Sequence, residues 1–523
     1  MMQFPRINGE ESPGLGKFRI PRQLQAEPAD FQSWCLEAFC QRLELSPGEG
    51  QPWLTLRRDE TLPGEGYRLK ISETGIEVAA SSEVGVVWAL TTLYLRTEPD
   101  RSVDRCNISD RPRYAHRGQS VDVVRHFFPV AEIKRILEQM SRVKMNVLHL
   151  HLTDDQGWRI ESKKYPQLQA VNDQYYTQDQ LRELVAFARI RGIEIIPEVD
   201  LPGHTTAVLK AFPQFGCTGK KPELAKSGGI YTTILCAGKK SVYQFLEELL
   251  AEICDIFPSE RFHIGGDEAP KQQWMACPDC AAAMKELGLA DYEQLQGHFT
   301  RRVTEILGKH HKTPICWNET LKGFPNPGRM QIQYWTMDDP EKMEAYADRG
   351  GKFIYSDMCQ LYLDYPYSMT SVRKLYKMRP RIGFHSCGRA AGMLGMESTV
   401  WAEHICDNRN LEEHLFPRLY IVAEKAWAGG HAPYSAFLRS LRQLCALAQK
   451  DGIHTMAEER WNPKGKARRA EALDFFVKMN GGVLEEVPEN QAPAQTNLRL
   501  MVNYVTQFFR LSDLPALAKL YFR

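Results

Sequence analysis

Between residues 114 and 430 one pattern recurs eight times, a short apolar run of strand length, in most cases followed by a longer amphipathic stretch. The runs are QSVDVV, NVLHLHL, IEIIPEV, FHIGG, PICW, IQYW, KFIYSD and ESTVW. The stretches between them include PVAEIKRILEQMSRVK and TQDQLRELVAFARIRG, and helices are predicted near 241–256, 292–310, 339–350 and 411–427. Apolar residues three and four apart mark these as helices with one buried face. Strands separated by helices pair in parallel, because each helix returns the chain to the edge where the next strand starts. Eight such units predict an α/β fold, a (β/α)8 TIM barrel with long insertions, and an open doubly wound sheet is the alternative.

The flanks have other rhythms. Residues 66–96, GYRLKISETGIEVAASSEVGVVWALTTLYLR, alternate, turn at Glu73-Thr74-Gly75, alternate again and end in a Ser-capped apolar helix. A small α+β domain is therefore expected over 1–110, with RPR at 111–113 as linker and the barrel over 111–431. A helical C-terminal extension is expected over 432–523, from YSAFLRSLRQLCALAQK, KARRAEALDFFVKMNGG and NLRLMVNYVTQFFRL, suited to packing on the barrel or to a subunit contact.

Composition excludes several partners. A net charge of +1 offers nothing to hold nucleic acid or an acidic membrane surface. No apolar run reaches the roughly 18 residues of a membrane span. The opening MMQFPRINGEESPGLGKF lacks the basic head and apolar core of an export signal. Thirteen cysteines, an odd number without framework spacing, favour free thiols in a reducing compartment, so a cytoplasmic location is expected. Cys277 and Cys280 in CPDC make half a zinc site, but Cys217 and Cys236 are too scattered to complete it by spacing alone, which leaves free thiols as the expectation. Gly265-Gly266 lacks the context of a phosphate-binding loop. No cofactor is expected.

In such a barrel chemistry sits where the strands end. Successive ends carry Arg125-His126, Asp154-Asp155, Glu198 and Asp200 with His204 behind, Asp267-Glu268, Trp317-Asn318-Glu319, Trp335, Tyr362-Leu363-Asp364 and Trp401-Ala402-Glu403. Each has a plain structural reading. Asp200 or Asn318 can serve as a turn residue, Arg125 as a surface ion pair, His204 as a satisfied loop histidine, and a lone Trp as core. Eight ends in a row argue for more, since a structural rim needs no three tryptophans among carboxylates. Aromatic platforms stack on the apolar face of a sugar, while carboxylates and a guanidinium take its hydroxyls.

Glycosidic cleavage needs a proton for the leaving oxygen and stabilisation of positive charge at the anomeric carbon. Neighbours on a strand point opposite ways, so Asp267 and Glu268 suit a strand that is ending, and the glycines before them permit that geometry. Adjacent acids fit poorly with two carboxyls on opposite sides of one bond. They fit a scheme in which one acid donates the proton and the substrate supplies its own nucleophile.

HIGGDE, with RHF at 125–127, HLHLTDDQGWR at 149–159, PEVDLPGH at 197–204, YLD at 362–364 and ESTVWAE at 397–403, resembles glycoside hydrolase family 20, the β-N-acetylhexosaminidases. The likeness covers roughly residues 15 to 430. It implies an exo-acting, retaining enzyme, needing no metal, that removes terminal N-acetylhexosamine from an oligosaccharide or glycoconjugate. The acetamido oxygen would attack the anomeric carbon to give an oxazolinium ion, the substrate-assisted route of this family. By the same resemblance Glu268 is the general acid and base, Asp267 holds the acetamido N–H, and Tyr362 donates to the acetamido oxygen. Trp317, Trp335 and Trp401 wall the pocket, Arg125, Asp364 and Glu403 hold hydroxyls, and Asp154 with His204 positions the acid. Three other readings stand beside it: a relative releasing a disaccharide or a sulfated sugar, a silent glycan-binding barrel, and a metal-dependent hydrolase built on His263, Asp267 and Glu268.

Overall fold

The computed structural model describes residues 4–383, 385–388, 390–430, 432–479, 505–509 and 513. All eight apolar runs form strands of one closed parallel barrel: β1 (His116–Asp122), β2 (Val147–His151), β3 (Glu194–Glu198), β4 (Arg261–His263), β5 (Thr313–Trp317), β6 (Gln331–Tyr334), β7 (Phe353–Tyr355) and β8 (Met393–Val400). Closure is between β8 and β1, where Gly395 to Val400 pair in register with His116 to Val121. The barrel expectation holds. The first interstrand helix, Val130–Arg142, turns Ile133, Ile136, Leu137 and Met140 inward, all fully buried, as its three-and-four spacing requires.

The predicted helix over 411–427 is two helices, Asn408–Leu415 and Arg418–Ala428. Pro417 lacks the amide proton a continuous helix would use, so the chain turns there and starts again.

The barrel interior is layered. Val147, Ile196, Ile315 and Ile354 form an apolar floor. Above it the inward positions are polar: His149, Glu198, His263, Gln333 and Glu397, each at most 1% exposed. Each charge there has a partner. His149 Nδ1 lies 2.9 Å from Glu397 Oε1, and His263 Nδ1 lies 2.8 Å from Glu198 Oε1. Unpaired charges at this depth would cost several kcal/mol each.

The N-terminal region is a six-stranded sheet carrying the helices Trp34–Leu43 and Glu83–Arg96. The hairpin Tyr67–Ile71 with Ile76–Ala80 lies within it, antiparallel as read from its alternation. The domain is fastened to the barrel by a buried cluster: Lys144 Nζ is 3.0 Å from Asp110 Oδ2, and Trp427 Nε1 donates to Asp110 Oδ1 at 3.0 Å.

Beyond the barrel, helices Tyr434–Lys450 and Gly465–Met479 form where the sequence places them, and residues 505–508 are helical. Most of the predicted segment NLRLMVNYVTQFFRL lies outside the described residues. Phe475, Phe476, Phe508 and Phe509 pack against Met358, Tyr362 and Tyr365 of the barrel, with Trp335 and Trp401 at the edge of the same cluster. The extension therefore backs the wall of the site described next.

Candidate active site

The residues singled out lie at the C-terminal ends of the barrel strands or in the loops that follow them, and contacts join all but His126, which packs on Phe128, along one cleft. Two devices shape the centre. The strand β4 stops at His263, and Gly265 and Gly266 follow with φ of 62° and 101°. A Cβ on Gly265 would stand 1.7 Å from Asp200 Oδ1, and the Gly266 N–H donates to that same oxygen at 3.1 Å. Only glycine lets the backbone come this close, and Asp200 proves to be the residue that fastens the turn. Glu268 then adopts φ of 42° and His204 φ of 52°, left-handed values that side chains rarely take without a constraint from their surroundings.

The bend separates the two acids. Asp267 is buried, whereas the Glu268 side chain keeps 29% of its exposure and faces His204, its Oε2 3.5 Å from Nε2. The other face of His204 meets Asp154, with Nδ1 to Oδ1 3.1 Å, and Asp155 Oδ2 at 3.3 Å. Burial opposes a charge on His204, but the contact with Asp154, helped by Asp155 and Glu268, outweighs it and lifts the imidazole well above its usual range. Asp154 moves the opposite way: burial is overcome first by Arg125 and then by His204.

Arg125 spans the next part of the rim. Its Nη2 is 2.6 Å from Asp154 Oδ2 and 3.8 Å from Glu403 Oε1, and its guanidinium lies 5.4 Å over the Trp401 ring. Asp122 anchors it at 3.0 Å while also accepting the Ala402 N–H, so the ends of β1 and β8 are tied together. Asp364 sits close enough to Glu403 for that carboxylate, after burial, to push its own carboxyl upward.

The aromatic residues continue the wall. Trp317 is 6.0 Å from Trp401, Trp401 is 6.1 Å from Tyr362, and Tyr362 stacks on Trp335 at 6.3 Å. Trp317 is the deepest, fully buried, with its indole N–H donating to Glu198 Oε1 at 3.0 Å. Asn318 takes the structural reading: its Oδ1 accepts the Trp335 N–H at 2.9 Å and holds that residue in place. Three buried polar atoms at the wall, Asp267 Oδ1, Trp335 Nε1 and Asp364 Oδ1, find no hydrogen-bond partner among the described residues. Buried groups of this type are ordinarily satisfied, so they mark where a polar ligand would bond.

His263 is turned to Glu198, and among the described residues it forms no metal-holding group with Asp267 and Glu268. Of the glutamates beneath the cleft, Glu198 is named from sequence only as a strand-end acid, and Glu397, His149 and His151 have no role assigned from it. The one available signal was the period of two in HLHLH, which turns both histidines into the barrel. Burial would raise Glu198, but His263, His151 and His149 together hold it well below the carboxylate range.

Other buried carboxyls of the site behave oppositely, because burial outweighs the nearby His204 or Lys322. Burial, and then Asp200, push Asp267 well up, and burial pushes Asp200 to about 7. Glu319, whose Oε2 accepts the Glu268 N–H at 3.4 Å, is raised to about 8 by burial and then by Asp267. A carboxyl raised on folding holds its proton longer in the native state, so it favours the fold below its unfolded value and loses that contribution as pH rises. For Glu319 the window runs from about pH 4.5 to about pH 8. Glu319→Gln should therefore gain thermal stability relative to the parent as pH is raised from 5 to 8. Melting curves whose difference is flat over that interval would rule out this ionisation.

With this geometry in view, the sequence can be set beside known proteins. Residues 114–430 match the description "Glycosyl hydrolase family 20, catalytic domain", and residues 20–111 match "Glycosyl hydrolase family 20, domain 2". The chain belongs to glycosyl hydrolase family 20. It is a glycoside hydrolase whose similar family members include the beta-hexosaminidase of Akkermansia muciniphila, 32% identical over 70% of this chain and 80% of that one. The Porphyromonas gingivalis beta-hexosaminidase is 32% identical over 76% of this chain, which spans 55% of that longer protein. Among solved family 20 structures, the Bacteroides fragilis beta-N-acetylhexosaminidase superposes with a TM-score of 0.78 at 26% identity, over 87% of this chain and 97% of that one.

Proposed function

We propose that this family 20 enzyme is an exo-acting, retaining β-N-acetylhexosaminidase that uses the substrate's acetamido group as nucleophile. The observation that carries the reading is the division of the acid pair: Glu268 faces the cleft on a histidine, while Asp267 is buried with one oxygen that finds no hydrogen-bond partner among the described residues. Glu268 would protonate the leaving oxygen and then activate water, with His204, backed by Asp154, supporting its change of charge. Asp267 lies where ionisation is disfavoured, and a positive charge growing on the sugar would draw it to the anion. It would thereby hold the acetamido N–H and stabilise the oxazolinium ion. Burial keeps the Tyr362 hydroxyl protonated and able to donate to the acetamido oxygen. Trp335 and Trp401 would clasp the sugar and its acetamide from the sides, with Trp317 as floor, while Arg125, Asp364 and Glu403 would take ring hydroxyls.

All thirteen cysteines are free of disulfides, which supports action in a reducing cytoplasm on short oligosaccharides with terminal N-acetylhexosamine. Among the described residues no helix is long and apolar enough to cross a membrane. Aryl β-N-acetylglucosaminide and β-N-acetylgalactosaminide should both be cleaved, with the product released first in the β configuration. Release of a disaccharide from longer aryl glycosides, with no action on the monosaccharide substrates, would refute the exo reading.

A further inference from the structure

Four cysteines from two separate stretches of the sequence meet on the flank of the barrel. Cys217 and Cys236 lie in the long loop between β3 and the helix Lys240–Ile256. Cys277 caps the helix Pro278–Leu287, in the insertion that follows Glu268, and Cys280 sits in its first turn. Their sulfurs all fall within 4.8 Å of one another. Cys236 Sγ is 3.6 Å from Cys280 Sγ and 3.7 Å from Cys277 Sγ, and Cys217 Sγ is 3.9 Å from Cys280 Sγ. A metal bonded to four tetrahedral sulfurs at about 2.3 Å sets them about 3.8 Å apart. A disulfide would need about 2.05 Å.

The backbone is built around this meeting. A Cβ on Gly238, two residues after Cys236, would lie 2.2 Å from the Asp279 carbonyl carbon, so the two cysteine-bearing segments touch main chain to main chain. Trp274 Nε1 donates to Leu235 O at 2.8 Å and joins the same segments. Cys236 and Cys280 are fully buried, Cys277 is 4% exposed and Cys217 is partly exposed, so three of the four sulfurs are shielded from solvent.

We infer that Cys217, Cys236, Cys277 and Cys280 form a structural Zn2+ site, closed and tetrahedral, with no part in the chemistry of the cleft. Four thiolates in this geometry select a thiophilic metal of tetrahedral habit, and a closed set of four leaves no position for substrate or water. On binding, the thiols give up their protons to solvent. The site clamps the loop after β3 to the insertion after β4, the two connections that carry His204 and Glu268. The clamped loop also reaches the rim, where Gln156 Nε2 donates to Ser227 O at 2.8 Å while Gln156 Oε1 accepts from Arg125 Nε at 3.0 Å.

The full chain, purified without an affinity metal or chelator, should contain one zinc per molecule by mass spectrometry of its elements. Organomercurial titration of the thiols should release that zinc stoichiometrically. Cobalt in its place should show thiolate-to-metal charge transfer in the near ultraviolet and tetrahedral d–d bands in the red. Cys236→Ser and Cys280→Ser should lose the metal, whereas Cys445→Ser, outside the cluster, should keep it. Should the serine variants fail to fold, the cobalt spectrum of the parent chain decides. A reduced parent chain that binds neither zinc nor cobalt, a disulfide among these four cysteines, or stoichiometric iron in place of zinc would overturn the assignment.

Discussion

Glu268→Gln is expected to slow cleavage of poor leaving groups by about 10²–10⁴-fold, while activated aryl substrates lose far less. The substitution keeps the side chain's size and its place against His204, 3.5 Å away, and removes only the transferable proton. A poor leaving oxygen departs as an alcohol and needs that proton in the transition state. A good one departs as a stable anion and does not. The loss on activated substrates should fall mainly on the second half of the reaction, in which the same carboxylate draws a proton from water. An added small nucleophile that needs no such base, such as azide, should then restore turnover of activated substrates. Equal losses for good and poor leaving groups, with no rescue, would remove Glu268 from the role of acid and base.

A larger effect is expected on the substrate side. Exchanging the 2-acetamido group for hydroxyl should lower kcat/KM by about 10⁴-fold or more, because a site built to bond a polar substituent is left with buried groups unpaired when it is missing. Here the loss is compounded. The acetamide is at once the nucleophile, the proposed partner of Asp267 Oδ1 and the proposed acceptor for Tyr362, in a wall holding polar atoms that find no hydrogen-bond partner among the described residues. A thiazoline that mimics the cyclised intermediate should bind much more tightly than the product sugar, since it presents the shape and charge the site stabilises. Asp267→Asn should weaken that inhibitor and lower turnover while the melting temperature is maintained. Comparable hydrolysis of β-glucoside and β-N-acetylglucosaminide, or indifference to the thiazoline, would show that the nucleophile is not the substrate's own.

Much of this protein is written in local patterns. Strand and helix periods in 114–430 specify eight parallel units, and a closed barrel then dictates that polar residues following each strand converge on one face. That is why Arg125, Asp154, His204, Asp267, Glu268, Tyr362, Asp364 and Glu403, spread over nearly 280 residues, could be gathered from a linear reading. Glycine spacing before the acid pair likewise foretells a bend, because a strand that must turn two carboxylates apart has few other means.

Other features depend on which segments meet, and no local period records that. The polar layer of His149, His263, Glu198 and Glu397 draws on four strands, and its contacts, His149 with Glu397 and His263 with Glu198, exist only once the barrel has closed. The Phe475 and Phe508 contacts to Tyr365 join the C-terminal extension to the aromatic wall, although nothing in those helices names their partner. Cys217 and Cys236 lie too far from CPDC for their spacing to signal a site, and only the path of two loops along the barrel brings the sulfurs within bonding distance of a common centre. Periodicity encodes which face of an element is buried. The identity of what it is buried against is set by chain closure over tens to hundreds of residues, and that information exists only once the fold is made.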